Sequence, residues 1–386
     1  MDIEIGIGKT ARRAYGFDEV AIVPSRRTRD PDDVDISWQI DAYRFELPLM
    51  ASAMDDVVSP ATATEIGRLG GLAVLNLEGL WTRYQDPEPL FDEIAALPDD
   101  KATRRMQEIY AAEPIKEELI SRRIREVKEA GVVTAASLTP QRVARYAQRV
   151  LDAELDLLVV QGTVVSAEHV STQAEPLNLK RFIAEFDIPV IVGGCASYQT
   201  ALHLMRTGAV GVLVGVGPGA ACTTRGVLGI GVPQATAIAD AAGARMEHLR
   251  ETGRYVHVIA DGGMRTGGDI AKAIACGADA VMIGSPLAKA YEAPGRGHHW
   301  GMATFHPDLP RGTRVATKRI GTLEEILVGP AHENDGTLNL FGALRTSMAT
   351  TGYADLKEFQ KAEVVVAPAI KTEGKREQQA QRVGMG

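Results

Sequence analysis

At 386 residues and 45% hydrophobic, the chain can bury a large core, as two domains or as one α/β barrel. A formal charge of −8 leaves no broad basic surface, which argues against nucleic acid, and no stretch reaches the ~20 apolar residues of a membrane helix. Three cysteines, Cys195, Cys222 and Cys276, lack the paired spacing of zinc or redox sites, so no metal centre is expected and a reducing cytoplasm fits. Met1–Thr10 lacks the apolar core of a signal peptide.

In chain order, Phe17–Pro24 and Glu46–Met54 read as strands. The second ends in Ala51-Ser52-Ala53-Met54-Asp55, where small and polar residues interrupt an apolar run, as where a buried strand surfaces into a site. A helix over Pro60–Leu69, with proline suited to its first turn, and a strand over Gly71–Leu77 follow. Trp81–Lys128 is charged, helix-favouring and free of glycine. Asp99–Tyr110 and Pro114–Lys128 read as solvated amphipathic helices decorating the surface, with Glu117-Glu118 and Arg122-Arg123 spaced for mutual ion pairs.

Val132–Leu138 and Asp156–Val160 are predicted strands, and Pro140–Leu151 and Asn178–Phe186 predicted helices. Pro189–Gly215 then lies over Val258–Gly284 without a gap, matching Gly193 to Gly262, Gly208 to Gly277, Ala209 to Ala278 and Gly215 to Gly284. Each copy reads strand, Gly-Gly turn, helix, Gly-Ala turn, strand. Such a repeat indicates a (β/α)8 TIM barrel or a doubly wound sheet, and two sister strands delivering glycine-rich loops to one edge suit the barrel. The expected organisation is one α/β barrel over residues 1–370, a helical insertion near 81–128, and a loose, charged tail over 371–386.

Between the repeats lies Gly217-Pro218-Gly219-Ala220-Ala221-Cys222-Thr223-Thr224-Arg225, a loop leaving a buried strand. Its glycines allow close backbone approach to a ligand, and a thiol beside two hydroxyls suits a nucleophile activated by Arg225 or the following helix. A buried packing cysteine beside a glycine turn is equally consistent with the spacing. In the second repeat, Asp261-Gly262-Gly263 places a carboxylate able to accept from ribose hydroxyls ahead of glycine N–H groups able to face phosphate, although a strand-end aspartate also serves as a helix N-cap. Gly284-Ser285 adds a backbone donor and a hydroxyl.

The cysteine loop, with Gly231-Val232-Pro233-Gln234-Ala235-Thr236-Ala237, resembles the active-site segment of the IMP dehydrogenase and GMP reductase family. Ser52-x-Met54, Asp261-Gly262-Gly263, Gly284-Ser285, Glu292-x-Pro294-Gly295, His299-Trp300-Gly301-Met302 and Gly342-Ala343-Leu344-Arg345 match further family elements in order. The resemblance implies a TIM-barrel oxidoreductase of purine metabolism (GMP biosynthesis or purine salvage) that bonds Cys222 covalently to purine C2, with Thr224 helping to activate water or ammonia. It assigns Ser52, Met54, Gly219, Asp261, Gly262, Gly263, Gly284, Ser285, His299, Gly301 and Met302 to GMP or IMP. Gln161, Gly162, Thr163, Gly215 and Gly217 fall to NADP or NAD. It further implies a homotetramer or octamer and a monovalent cation such as K⁺. Long members insert a pair of CBS modules near residue 81; the helical segment is too short for them, so no such regulatory domain is expected.

Departures from the family pattern bear on the reaction. Ala220, Gln161, Gly194 and Leu213 replace a serine, an aspartate, an asparagine and a basic residue. Met302 is followed only by Ala303–Pro310 before Arg311-Gly312, too short for the dehydrogenases' mobile flap with its Arg-Tyr pair. Arg311 holds the position of the reductase glutamate or dehydrogenase glutamine, and is taken as catalytic with Cys222 and Thr224. Loop length favours GMP reductase, with IMP dehydrogenase as the alternative. A nucleotide-binding regulatory paralogue without turnover is a third reading.

Overall fold

Leu157–Gln161 shows how the strands of this protein form: its four apolar residues are all buried, which covers both faces as a parallel sheet requires. The computed structural model describes every residue except 1, 171, 173–175, 302, 304–305, 307, 371 and 385–386. Eight such strands close a parallel barrel. They are β1 (Leu49–Ala51), β2 (Leu72–Asn76), β3 (Ala135–Leu138), β4 (Leu157–Gln161), β5 (Val190–Cys195), β6 (Gly211–Val214), β7 (His257–Asp261) and β8 (Ala280–Ile283). Each pairs with its successor, and β8 returns to β1 through Met282 opposite Met50. This is the expected (β/α)8 barrel.

The helices are α1 (Pro60–Arg68), α2 (Leu80–Arg83), α3 (Glu88–Ala96), α4 (Asp99–Ala112), α5 (Glu117–Lys128), α6 (Val143–Asp152), α7 (Leu179–Glu185), α8 (Tyr198–Met205), α9 (Thr224–Leu228), α10 (Gln234–Thr252) and α11 (Gly267–Ala275), with further helices C-terminal to the barrel. The sequence repeat is β5-α8-β6 over β7-α11-β8, and it extends to the helix ends. Ser197 and Thr266, equivalent in the repeat, cap α8 and α11 by accepting from Thr200 N and Asp269 N. Gly208 and Gly277 end the same helices at φ 96° and 116°, a conformation a side chain would strain.

Three expectations are corrected. The strand expected at Phe17–Pro24 shortens to Val20–Ile22 and lies outside the barrel, antiparallel to Val364–Val366. Glu117 and Arg122 do not pair with each other: Glu117 meets Arg149 at 3.0 Å and Arg122 meets Glu126 at 2.8 Å, because i,i+4 spacing and the α5–α6 packing select those partners. The insertion is no surface decoration either. While α5 packs with α1 and α6 in the barrel's helical ring, α2–α4 bury Leu80, Trp81, Phe91, Ile94, Met106, Ile109 and Tyr110 in a second apolar core together with Trp300. In the expected tail, Arg376–Gln381 form a short helix with no buried residue.

The N-terminal end of the barrel is closed by polar packing. Trp38, on a hairpin of Trp38–Ile40 and Tyr43–Phe45, donates Nε1–H to His257 Nδ1 at 3.1 Å. Asp279, entering β8, accepts from Arg245 Nη1 (2.8 Å), Tyr255 OH (2.7 Å), Val258 N (2.8 Å) and Lys357 Nζ (2.5 Å). The other end, where the strands finish, is left for the site.

Candidate active site

Strand ends bring the candidate residues together. Ser52 follows β1, Gln161 ends β4, Gly215–Arg225 follow β6, Asp261 ends β7 and Gly284-Ser285 follow β8. They line one cleft of about 1130 Å³. Ser52, Met54, Gln161, Gly162, Thr163, Gly215, Gly217, Gly219, Cys222, Thr224, Asp261, Gly262, Gly263, Gly284, Ser285, His299, Gly301 and Arg311 all line it. Met302 lies outside the described residues.

The cysteine loop is held from three sides. Cys222 N donates to Gly219 O at 3.1 Å, tightening the turn, and Cys222 Sγ donates to Thr224 Oγ1 at 3.1 Å. Thr224 is buried, whereas Cys222 is half-buried. Arg225, expected to place positive charge near the thiol, interacts electrostatically with Cys222, and its guanidinium also donates to Val216 O (3.1 Å) and Val232 O (2.8 Å), bracing both flanks of the loop. Opposite, Thr223 N donates to Arg311 O (2.8 Å) and Thr313 N to Ala221 O (3.0 Å), forming a short antiparallel bridge of Cys222 with Gly312. Arg311 is thereby fixed beside the cysteine by backbone pairing.

At the adjoining strand ends, Gln234 donates Nε2–H groups to Val214 O, Asp261 O and Gly262 O at 3.0–3.2 Å, tying β6 to β7. Gly215 is required there, since a Cβ would stand 2.2 Å from Asp261 O. Burial pushes the Asp261 carboxyl up to about 7, opposed by the Gln161 amide donating to Oδ2 at 3.2 Å. Gln161 therefore faces the carboxylate at the β7 end.

His299 has Nδ1 2.7 Å from Asp56 Oδ2, both side chains being buried, which leaves Nε2 to face the cleft. A Cβ on Gly284 would lie 2.8 Å from Met54 Sδ, 3.3 Å from His299 Cε1 and 3.4 Å from Ser52 Oγ, so glycine lets these three converge. Asp56 was missed in the sequence, as was Asp55. Asp55 accepts from Tyr110 OH (2.5 Å), Leu80 N (2.9 Å) and Asn76 Nδ2 (3.2 Å), and burial raises its carboxyl to about 6. Gln234 was legible as a motif residue, but its bracing role needed the fold. Beyond Gln161 the cleft continues past Gly162 and Thr163 to Glu78, Thr139 and Pro140, giving it more room than a single drug-sized ligand usually fills.

The IMP dehydrogenase / GMP reductase domain model matches residues 14–304. The chain belongs to that family. A crystal structure of an IMP dehydrogenase/GMP reductase-like protein from Corynebacterium glutamicum is similar with a TM-score of 0.90 and 48% identity, covering 95% of this chain and 97% of that one. An uncharacterized oxidoreductase of Mycobacterium tuberculosis is 53% identical over 94% of this chain and 99% of its own length. The inosine-5′-monophosphate dehydrogenase of Methanocaldococcus jannaschii is 28% identical over 94% of this chain and 95% of its own. The protein is thus an oxidoreductase of a family that acts on purine nucleotide monophosphates with nicotinamide cofactors.

Proposed function

We propose that this protein oxidises IMP to XMP through a covalent bond between Cys222 and purine C2. The observation that carries the reading is the Cys222 Sγ–Thr224 Oγ1 contact of 3.1 Å in a cleft that Asp261 and Gly284-Ser285 also line. The thiolate adds to C2 as a C–S bond forms, and the C2 hydrogen departs with its electron pair. When bound along Gln161, Gly162 and Thr163, NAD or NADP supplies the acceptor for that hydride. Water then adds to C2 as the C–S bond breaks, regenerating the thiol and releasing XMP. Thr224, within hydrogen-bond distance of the sulfur, is placed to orient that water. Asp261 takes the ribose hydroxyls, while Gly262, Gly263, Gly284, Ser285 and the free Nε2 of His299 take the phosphate, with Ser52, Met54, Gly219 and Gly301 enclosing the nucleotide.

The direction follows from charge. The cationic side chain of Arg311, carried on a backbone paired beside Cys222, favours hydroxide approaching C2 and the oxyanion it forms. It opposes protonation of a departing amino group, which GMP reduction requires. Three distant relatives, from Methanocaldococcus jannaschii, Borreliella burgdorferi and Thermoplasma acidophilum, carry the name inosine-5′-monophosphate dehydrogenase. The second reading, GMP reductase (GMP and NADPH to IMP, ammonia and NADP), draws on the short Ala303–Pro310 loop, which has no room for a swinging flap.

Acid-quenched mass spectrometry during turnover of IMP with NAD tests the covalent step. The Cys222 peptide should carry a purine nucleotide, and Cys222→Ala should carry none. Full turnover by Cys222→Ala would overturn the proposal.

A further inference from the structure

Seven hydrogen bonds and one ring contact join α3, α4 and the turn between them to described residues of the segment 296–314. Arg296 donates to Asp92 (2.5 Å) and Glu88 (2.6 Å). Trp300, buried in the α2–α4 core at 6.0 Å from the Phe91 ring, donates Nε1–H to Tyr110 OH at 3.1 Å, and Tyr110 donates to Asp55 at 2.5 Å. Gln107 Nε2 donates to His306 O at 2.6 Å. On the far side, the buried Arg314 guanidinium donates to Ile94 O (2.5 Å), Leu97 O (2.7 Å) and Asp99 Oδ1 (2.6 Å), closing the carbonyl end of α3 onto the strand that bridges Cys222.

We infer that α3 and α4 are a built-in clamp: they hold His299 and Arg311 at the cleft in the ligand-free protein, with Tyr110, Gln107 and Arg314 as positioning residues. The catalytic meaning of the clamp rests on the proposed reaction, because it supplies without a mobile flap the charge that the hydrolytic step uses. The two flanks are held independently. Trp300 and Tyr110 fix the side carrying His299, whereas Arg314 and the Ala221–Thr223 pairing fix the side carrying Arg311.

Hydrogen exchange on the full ligand-free chain tests this, following peptides over 296–301, 308–314 and 219–225, with iodoacetamide alkylation of Cys222 in parallel. The Thr223 and Thr313 amides should be protected before any ligand is added, and IMP with NAD should change that protection less than about twofold. Arg314→Met removes the three hydrogen bonds that hold the Arg311 side, so exchange over 308–314 should accelerate at least roughly five- to tenfold, and Tyr110→Phe removes two on the His299 side and should do the same over 296–301, while barrel-strand peptides are unmoved. Both variants should lower kcat with the KM for IMP unchanged, a split that general destabilisation does not produce. Amides that exchange freely until ligand arrives, or variants with wild-type exchange, would overturn the clamp. Protection as stated in a chain that turns over neither IMP nor GMP would leave the clamp standing and remove the proposed reaction.

Discussion

Replacing Asp261 by asparagine should stabilise the ligand-free protein at pH 8 while destroying nucleotide binding. The carboxyl is half-buried at the cleft, and desolvation lifts it from 3.8 to about 7 against the opposing Gln161 hydrogen bond. At about 1.4 kcal/mol per decade, keeping it ionised at pH 8 costs the folded chain roughly 4 kcal/mol relative to the unfolded one. The sign runs with pH. The penalty is nearly absent at pH 3, below the unfolded value, grows to roughly 2 kcal/mol at pH 5, and is complete above about 7. Asparagine has the same shape, carries no charge and still accepts from Gln161, so Asp261→Asn should recover roughly 2–4 kcal/mol at pH 8, a rise in Tm of about 3–8 °C. Differential scanning fluorimetry of both proteins from pH 4.5 to 8 reads the difference directly. It should be positive at pH 8 and shrink towards zero as pH falls. A variant that melts lower at pH 8, or a difference independent of pH, would refute the argument that this carboxylate is held ionised for a ligand's hydroxyls.

Further outcomes follow from other sites. Cys222→Ala should lose at least about a thousandfold in kcat yet retain nucleotide binding by calorimetry, since the thiol forms a bond rather than a binding contact. Gly215→Ala places a Cβ 2.2 Å from Asp261 O, forcing β6 from β7; a loss of roughly 1–3 kcal/mol in chemical denaturation, with weaker binding, is expected. Asp279→Asn should cost roughly 3–5 kcal/mol at pH 7 by stranding Arg245 and Lys357. Burial alone would raise the Asp279 carboxyl, but Arg245 and Lys357 outweigh it and hold it down to about 2. Its stabilisation is present above the unfolded value near 4 and is lost as pH falls towards 2, so the variant's deficit should narrow over that window in acid denaturation.

Much of the barrel was legible because its information is local and repeated. The matched Gly208/Gly277 pair marks turns that only certain backbones accept, and equivalent caps at Ser197 and Thr266 start the helices before them, whereas Gly193, matched to the turn glycine Gly262, lies within β5. The site residues were legible for a related reason. Gly-x-Gly before Cys222, Asp261-Gly-Gly and Gly284-Ser285 are contiguous motifs at strand ends, and one cleft gathers them.

What was hidden is what joins distant positions. Nothing near Tyr110 announces Asp55 or Trp300 as partners, and the charged outer faces of α3 and α4 disguised an inner face holding Phe91, Met106 and Ile109. Arg225 was half legible: its charge does act on Cys222, but its bracing of the Val216 and Val232 carbonyls needed the folded loop. Asp56 escaped notice because His299, its partner, is more than two hundred residues away.

The central claim is tested most directly by the absorbance of reduced nicotinamide, followed in two reactions: IMP with NAD or NADP, and GMP with NADPH. Reduced cofactor should form with IMP, XMP should accumulate in equal amount, and Cys222→Ala should abolish both. Consumption of NADPH with GMP and no reaction with IMP would contradict the direction assigned from Arg311, and activity that survives without the thiol would contradict the covalent mechanism itself.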